Sequence, residues 1–422
     1  MTFNKWLNNN MTNAHSSSTT AQAMDTPPAV NVFLKLLPIT LAVFIGFLTI
    51  GLQLPVLPLH LHETLGMGTL VVGLVIGSQF VAALLSRSWA GNFADMRGPK
   101  RAVITGLLLA ASSGLAYLAS LAFIDMPSTS LWILLLGRIL LALGESLITT
   151  GALGWSLGLV GPQNAGKVMV WIGIAIFGAY ALGAPIGVLA NSQWGFAGIA
   201  IATVLIPLLA LTAISGVRAV APSATRRTPF YKVLGAVWMP GLGLALSSVG
   251  FGLITAFIAL LFVAKDWGNA SLAFTTFGLS FIGARIFFGH LPDKIGGAKV
   301  ALASVAIEAV GQLLIWGADV APFAYLGTAL TGFGYSLAFP GFGVEAVRRA
   351  PPRTRSLAMG AYVAFLDIAL GITSPAAGAL AGKWGIASVY LAGAIAVGLA
   401  LVVALRLLVT EPVQEKSPTG AA

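Results

Sequence analysis

Twelve long, predominantly apolar stretches run through this chain, at about 34–58, 69–91, 102–124, 131–157, 167–190, 195–216, 236–263, 270–290, 299–318, 322–346, 356–381 and 385–409. A helix of ~20 apolar residues covers the ~30 Å hydrocarbon core of a bilayer. In lipid a backbone must satisfy its own hydrogen bonds, so each stretch is predicted to be a spanning helix, numbered spans 1 to 12. Barrel strands would instead alternate apolar and polar residues over ~10 positions, a pattern these runs lack. Composition agrees: 57% of residues are hydrophobic and 9% charged, against ~25% charged in a soluble domain. An all-α membrane protein follows. The 50 glycines suit helices that approach closely in lipid.

The residues outside the spans divide the chain. Residues 1–32 are rich in Asn, Ser and Thr and have no apolar core, so they are expected to form a disordered cytoplasmic tail rather than a signal peptide. Six spans fill 33–216, a basic linker occupies 217–235, six more spans fill 236–409, and a tail covers 410–422. Of the 23 Lys and Arg residues, 20 fall on one side, including Arg87 and Arg285 at helix ends; Lys265 and Lys383 fall on the other, and Arg138 lies inside span 4. That asymmetry places both termini in the cytoplasm of a multi-pass inner-membrane protein. The net charge of +10 is then a matter of topology, and a nucleic-acid partner is not expected because the charges sit in short loops. The lipid bilayer and a small-molecule substrate are the expected partners, and the chain is expected to be monomeric.

The two groups of six spans are copies. Arg87, Gly91, Asp95 and Gly98 recur as Arg285, Gly289, Asp293 and Gly296, an offset of 198 throughout. Gly137, Gly144, Ser146, Leu147, Gly151, Pro162, Met169 and Pro185 recur at an offset of 190 as Gly327, Gly334, Ser336, Leu337, Gly341, Pro352, Met359 and Pro375. Duplicated halves are how many transporters are built.

Residues Gly91 to Arg101 resemble the signature between spans 2 and 3 of the major facilitator superfamily, and Gly289 to Lys299 resembles its weaker copy between spans 8 and 9. Arg138, followed six residues later by Gly144, looks like the buried arginine motif of proton-coupled members. Gly183-Ala184-Pro185-Ile186-Gly187 in span 5 matches the antiporter motif in part, departing from it at Ala184 and Val188. The Pro-rich end of span 1, Leu54 to Pro58, adds to a resemblance to the YhhS-type group of bacterial inner-membrane transporters. The resemblance covers about residues 33–410 and implies two pseudo-symmetric six-helix halves, with spans 1, 4, 7 and 10 around a central cavity. Asp95 at a helix end can accept hydrogen bonds across the seam between halves, while Gly91 and Gly98 permit a close approach and a tight turn. Gly91, Asp95, Gly98, Arg101, Gly289, Asp293 and Gly296 are therefore expected to form a gate, with helix capping as the alternative role for Asp95.

Ionisable groups inside the spans are costly, roughly 2.5 to 3.5 kcal/mol each on insertion scales, and mark function. Arg138 and Glu145 stand two turns apart on one face of span 4, too far for a simple local salt bridge. Glu308 lies in span 9 and Asp367 near the middle of span 11. Arg138 could hold a nearby carboxylate in its ionised form or bind an anionic group. Asp367 is a candidate proton carrier, or else a carboxyl hydrogen-bonded to a neighbouring helix, and Glu308 could pair with Arg285. Gln53, Ser247, Ser248, Thr255 and Tyr335 could contact a substrate or satisfy neighbouring helices. Trp155 and Trp171 read as interfacial anchors. His60 and His62 fall in the first outer loop, too few for a metal site, and no metal or organic cofactor is expected.

No nucleotide-binding loop is present, so the proton gradient is the expected energy source. The function expected is secondary active transport of a small organic solute, an antiporter working in efflux. The alternatives are a facilitative or symport-type importer on the same fold, or a receptor or membrane enzyme. No cluster of nucleophile, base and orienting group supports an enzyme.

Overall fold

The computed structural model describes residues 32–161, 164–222, 234–350 and 355–410; the N-terminal tail, most of the 217–235 linker, Pro162, Pro352 and the end of the chain lie outside them. Among the described residues the structure is all helix and turn. Its long helices are α1 (Val32–Gln53), α2 (Thr69–Arg97), α3 (Pro99–Leu121) and α4 (Pro127–Val160). Helix Ala165–Ser215 follows, whose limbs before and after Gly195 are α5 and α6. Then come α7 (Leu234–Ala264), α8 (Ser271–Phe288), α9 (Gly297–Trp316), α10 (Ala321–Arg349), α11 (Arg355–Trp384) and α12 (Ser388–Val409). Among the described residues ten helices are long and apolar enough to cross a membrane, where the sequence predicts twelve spans.

The difference has two sources. Spans 5 and 6 lie in the single stretch Ala165–Ser215, but Gly195 at φ 59° and ψ −163° leaves helical geometry and divides it into two limbs, which correspond to the two spans. Helix α10 buries Thr328, Thr331, Gly332, Gly334, Tyr335 and Ser336, so its apolar content is low although it is buried among other helices.

Two boundaries also move. After Gln53 the chain forms a short helix, Val56–Leu59, and a π-helical turn, His60–Thr64. His60 and His62, expected in a loop, therefore continue the first helix; His60 is buried and stacks on Phe196 with ring centroids 4.0 Å apart. Helix α2 runs through Arg97, so Gly91 and Asp95 belong to its last two turns and only Gly98 is in the turn.

Gly98 and its repeat partner Gly296 adopt nearly the same left-handed backbone, φ 95° and ψ 145° against φ 98° and ψ 140°. A side chain is strained there, and each glycine stands immediately before the next helix, α3 or α9. The repeat read in the sequence is thus a repeat in backbone.

Below, α1–α6 are the first set and α7–α12 the second. Within the first set α1 packs on the Ala165–Ser215 helix and α3 on α4; within the second α9 packs on α10 and α12. The sets meet along two seams, α2 against α11 and α5 against α8.

Candidate functional site

Arg138 is the deepest charge of the first set, with 4% of its surface exposed. Its Nη1 donates to Gln53 Oε1 at 3.3 Å, and Gln53 Nε2 donates to Thr203 Oγ1, also at 3.3 Å. Gly137 beside it lets the Tyr117 ring come close: a Cβ there would lie 2.6 Å from Tyr117 Cε1. Two turns further along α4, Glu145 Oε2 accepts from Gln79 Nε2 at 2.7 Å. The sequence separated Arg138 from Glu145, and each now has its own glutamine. Gln79 and Tyr117 were missed, since a single glutamine or tyrosine in an apolar helix carries no signal until its neighbours are known.

Asp367 is buried in α11 but not alone. Arg87 Nη2, from α2, lies 2.7 Å from Asp367 Oδ1 and 2.6 Å from Oδ2. The Asp367 side chain is 5% exposed and that of Arg87 37%. Arg87 had been counted with the cytoplasmic basic residues; it stands ten residues inside the end of α2 and joins the two sets. Its signal was present, as the repeat partner of Arg285, but positive-side counting absorbed it. The same seam is tight nearer Thr69: Thr69 Oγ1 donates to the Gly378 carbonyl at 2.9 Å, and a Cβ on Gly73 would collide with the Ser374 carbonyl.

The other seam is aromatic. Phe177 of α5 and Phe281 of α8 stack with centroids 3.6 Å apart, and Thr275 Oγ1 donates to the Ala181 carbonyl at 2.8 Å. Arg285 does not meet Glu308, as the sequence reading had suggested; its guanidinium lies 5.4 Å from the Phe281 ring centre. Glu308 is fully buried inside the second set and accepts from Ser247 Oγ at 2.7 Å. Ser248 donates within its own helix, to the Leu244 carbonyl at 2.7 Å.

A small cavity of about 20 Å³, room for about one water, lies between the sets. Gln53, Gln79, Arg138 and Tyr180 of the first set line it together with Phe251 and Thr255 of α7. Behind Phe251, Tyr335 stacks on it at 5.5 Å with the rings 10° from parallel. Gln53 and Thr255 therefore reach the cavity directly, while Tyr335 backs its wall and Ser247 holds Glu308.

The expected gate residues lie at the Arg97 end of the bundle. Gly91 is buried, Asp95 half-buried and Arg101 exposed in the first turn of α3. Gly289 caps α8, and Asp293 is exposed in a short helix, Leu291–Ile295. Two side chains there bind helix ends. Lys100 Nζ donates to the carbonyls of Ser215 and Val217 at 2.9 and 2.7 Å, while Trp155 Nε1 donates to the Arg218 carbonyl at 2.8 Å. Trp155 is thus fully buried instead of lying at an interface, because its indole has a backbone partner inside the protein. In the second set Arg349 Nη2 donates to the Leu407 and Thr410 carbonyls at 3.3 and 2.9 Å. Glu345, which pairs with Arg348 and Arg349, accepts from Ala298 N at 3.3 Å. In α5, Gly183 and Gly187, flanking Pro185, pack against the backbone of Gly51 and Leu52 in α1. Among the described residues no three His, Asp or Glu side chains converge as metal ligands.

A duplicated helical bundle with charges buried between its two sets is the architecture of a membrane transporter. The chain belongs to the Major Facilitator Superfamily, whose sequence profile matches residues 39–262 and again 240–422. It is 44% identical over 361 residues to an uncharacterized MFS-type transporter of Salmonella typhimurium, covering 86% of this chain and 93% of that one. It is also 44% identical over 389 residues to one of Pseudomonas aeruginosa, covering 90% and 96%. Among solved structures, a bacterial homolog of the human lysosomal transporter Spinster, inward-facing and occupied, shares the fold with a TM-score of 0.71 at 14% identity, over 91% of this chain and 98% of that one. The protein is a multi-pass membrane transporter of that superfamily and not an enzyme.

Proposed function

We propose that this transporter, of the YhhS-type group, exports a small organic solute across the inner membrane by alternating access, as an antiporter driven by the proton gradient. In this reading twelve spans form two six-helix halves, 33–216 and 236–409, joined by the 217–235 linker. Both termini are cytoplasmic, the Arg97 end of α2 faces inward and the Thr69 end outward. The protein acts as a monomer without metal or organic cofactor. Arg138 and Glu145 face the transport path, Asp95 with its neighbours and Asp293 belong to the inner gate, and Glu308 stiffens the second half.

One observation carries the reading: the Arg87–Asp367 pair joins the halves inside the bundle. An ion pair buried on one side is strong only while both members are charged, and a proton delivered to Asp367 removes one of them. The seam then separates at little cost. Proton binding and the opening of one face become a single linked event, which is what coupling requires.

The test uses proteoliposomes holding a solute found by growth of a deletion strain on toxic compounds. Wild-type protein is expected to move that solute at least about tenfold faster down an imposed pH gradient than without one, and Asp367→Asn to lose that acceleration while keeping solute exchange. A mutant with wild-type gradient dependence overturns the proposal.

A further inference from the structure

We propose that the central cavity binds an aromatic monocarboxylate, with the carboxylate on Arg138 and the flat apolar body against the rings of Tyr180 and Phe251, the latter backed by Tyr335. This deepens the transport reading and rests on it, since it takes the cavity to be the substrate site.

The first observation is an underused cation. Arg138 is 96% buried, given its 4% exposure. A guanidinium carries five donors in a rigid fork that matches a carboxylate. Its Nη1 donates to an amide oxygen at 3.3 Å, the Tyr117 hydroxyl is its other neighbour, and Nε has no partner among the described residues. Arg87 pairs with Asp367, and Arg348 and Arg349 pair with Glu345, and no carboxylate among the described residues forms a salt bridge with Arg138. A buried cation without a counter-ion is costly, and this one borders the cavity. An incoming anion supplies what the fold leaves out.

The second observation is the aromatic part of the lining. Tyr180 and Phe251 lie 6.2 Å apart and 18° from parallel, and Phe251 and Tyr335 5.5 Å apart and 10° from parallel. Near-parallel rings on one side of a cavity present a flat face, on which another ring gains offset-stacking contact. The cavity residues of α7 are Phe251 and Thr255, with no charge between them.

The third is the sign and number of charges. One arginine faces the cavity, and the nearest acid along α4, Glu145, is turned to Gln79. A single fixed cation near a carboxylate favours a monoanion, because a second negative charge on the ligand would meet Glu145 without a partner. The volume fits only the head group: about 20 Å³ holds roughly one water. The carboxylate takes that water's place, and the ring enters between Tyr180 of α5 and Phe251 of α7 as those helices move apart.

Thermal shift of the purified full-length protein in detergent, with benzoate, phenylacetate and indole-3-acetate against their three amides and against tryptamine, reads the assignment. At least one acid should bind about tenfold or more tighter than its amide, and tryptamine should not bind. Arg138→Gln should bring the acid-to-amide ratio to about one. Phe251→Leu should weaken the acid about fivefold and leave that ratio unchanged. If Arg138→Gln does not fold, Arg138→Lys, which keeps the charge but loses the fork, should cut the ratio at least about threefold. Acids that bind no tighter than amides, no shift with any acid, or a ratio indifferent to Arg138 overturns the assignment. No gradient enters the measurement. Failure here therefore leaves proton coupling standing, and failure of coupling leaves this binding intact.

Discussion

The two seams of the molecule occupy equivalent places and are built from opposite chemistry. Where α2 meets α11, Arg87 holds Asp367; where α5 meets α8, Arg285 keeps the position of Arg87, but the position 190 residues before Asp367 is Phe177. The second seam is closed by stacked rings, with Arg285 lying along Phe281 instead of meeting an acid. Ring contacts are weakly directional and survive sliding, at about 0.5–1.5 kcal/mol per pair. A charge-assisted pair has one good geometry and depends on protonation. One seam is therefore suited to slide throughout the cycle and the other to be switched. A chain built from two repeated halves needs this inequality if one proton site is to control a change that involves both.

The comparison can be broken most directly by reversing the switched pair. Arg87→Asp alone sets two carboxylates face to face and should reduce gradient-driven transport by about 100-fold, whereas adding Asp367→Arg should restore it to within about tenfold of wild type, as expected for a coupling of 1–3 kcal/mol. A double variant no better than the single would show that the pair is not the working contact. Giving the sliding seam a charge pair is the next test. Phe177→Asp sets an acid opposite Arg285, and solute exchange should slow about fivefold because a second contact must open in every cycle; exchange at the wild-type rate would contradict the division of roles. The mildest change is Phe281→Leu, which keeps apolar contact but removes the stack. It should slow exchange by about twofold and lower thermal stability slightly, with gradient dependence unchanged. Loss of gradient dependence would move the switch to the aromatic side.

Much of the architecture could be read from the sequence because helices in lipid obey a length rule and because glycine marks unusual backbone. The offset of 198 picked out Gly98 and Gly296 before their shared dihedrals were known. Chain-level patterns did less well wherever the answer depends on which way a helix is turned. Arg87 sits in a run that reads as a helix end, and only the packing of α2 on α11 reveals Asp367 across from it. Trp155 looks like other tryptophans near loops, yet its indole finds the Arg218 carbonyl. The site followed the same division: Arg138, Glu145 and Asp367 stood out by cost alone, while Gln79, Tyr180 and Phe251 became visible only as neighbours.

The fastenings at the Arg97 end of the bundle have a mechanical meaning. Lys100 grips the carbonyls at the end of α6, and Arg349 those at the end of α12, in each case from an earlier helix or turn of the same half. A tug on the connecting chain or on the C-terminus is thereby spread over several helices instead of unzipping the last one. Each half can then be hauled as a single stiff plate, and the force of a rocking stroke reaches the seams undiminished.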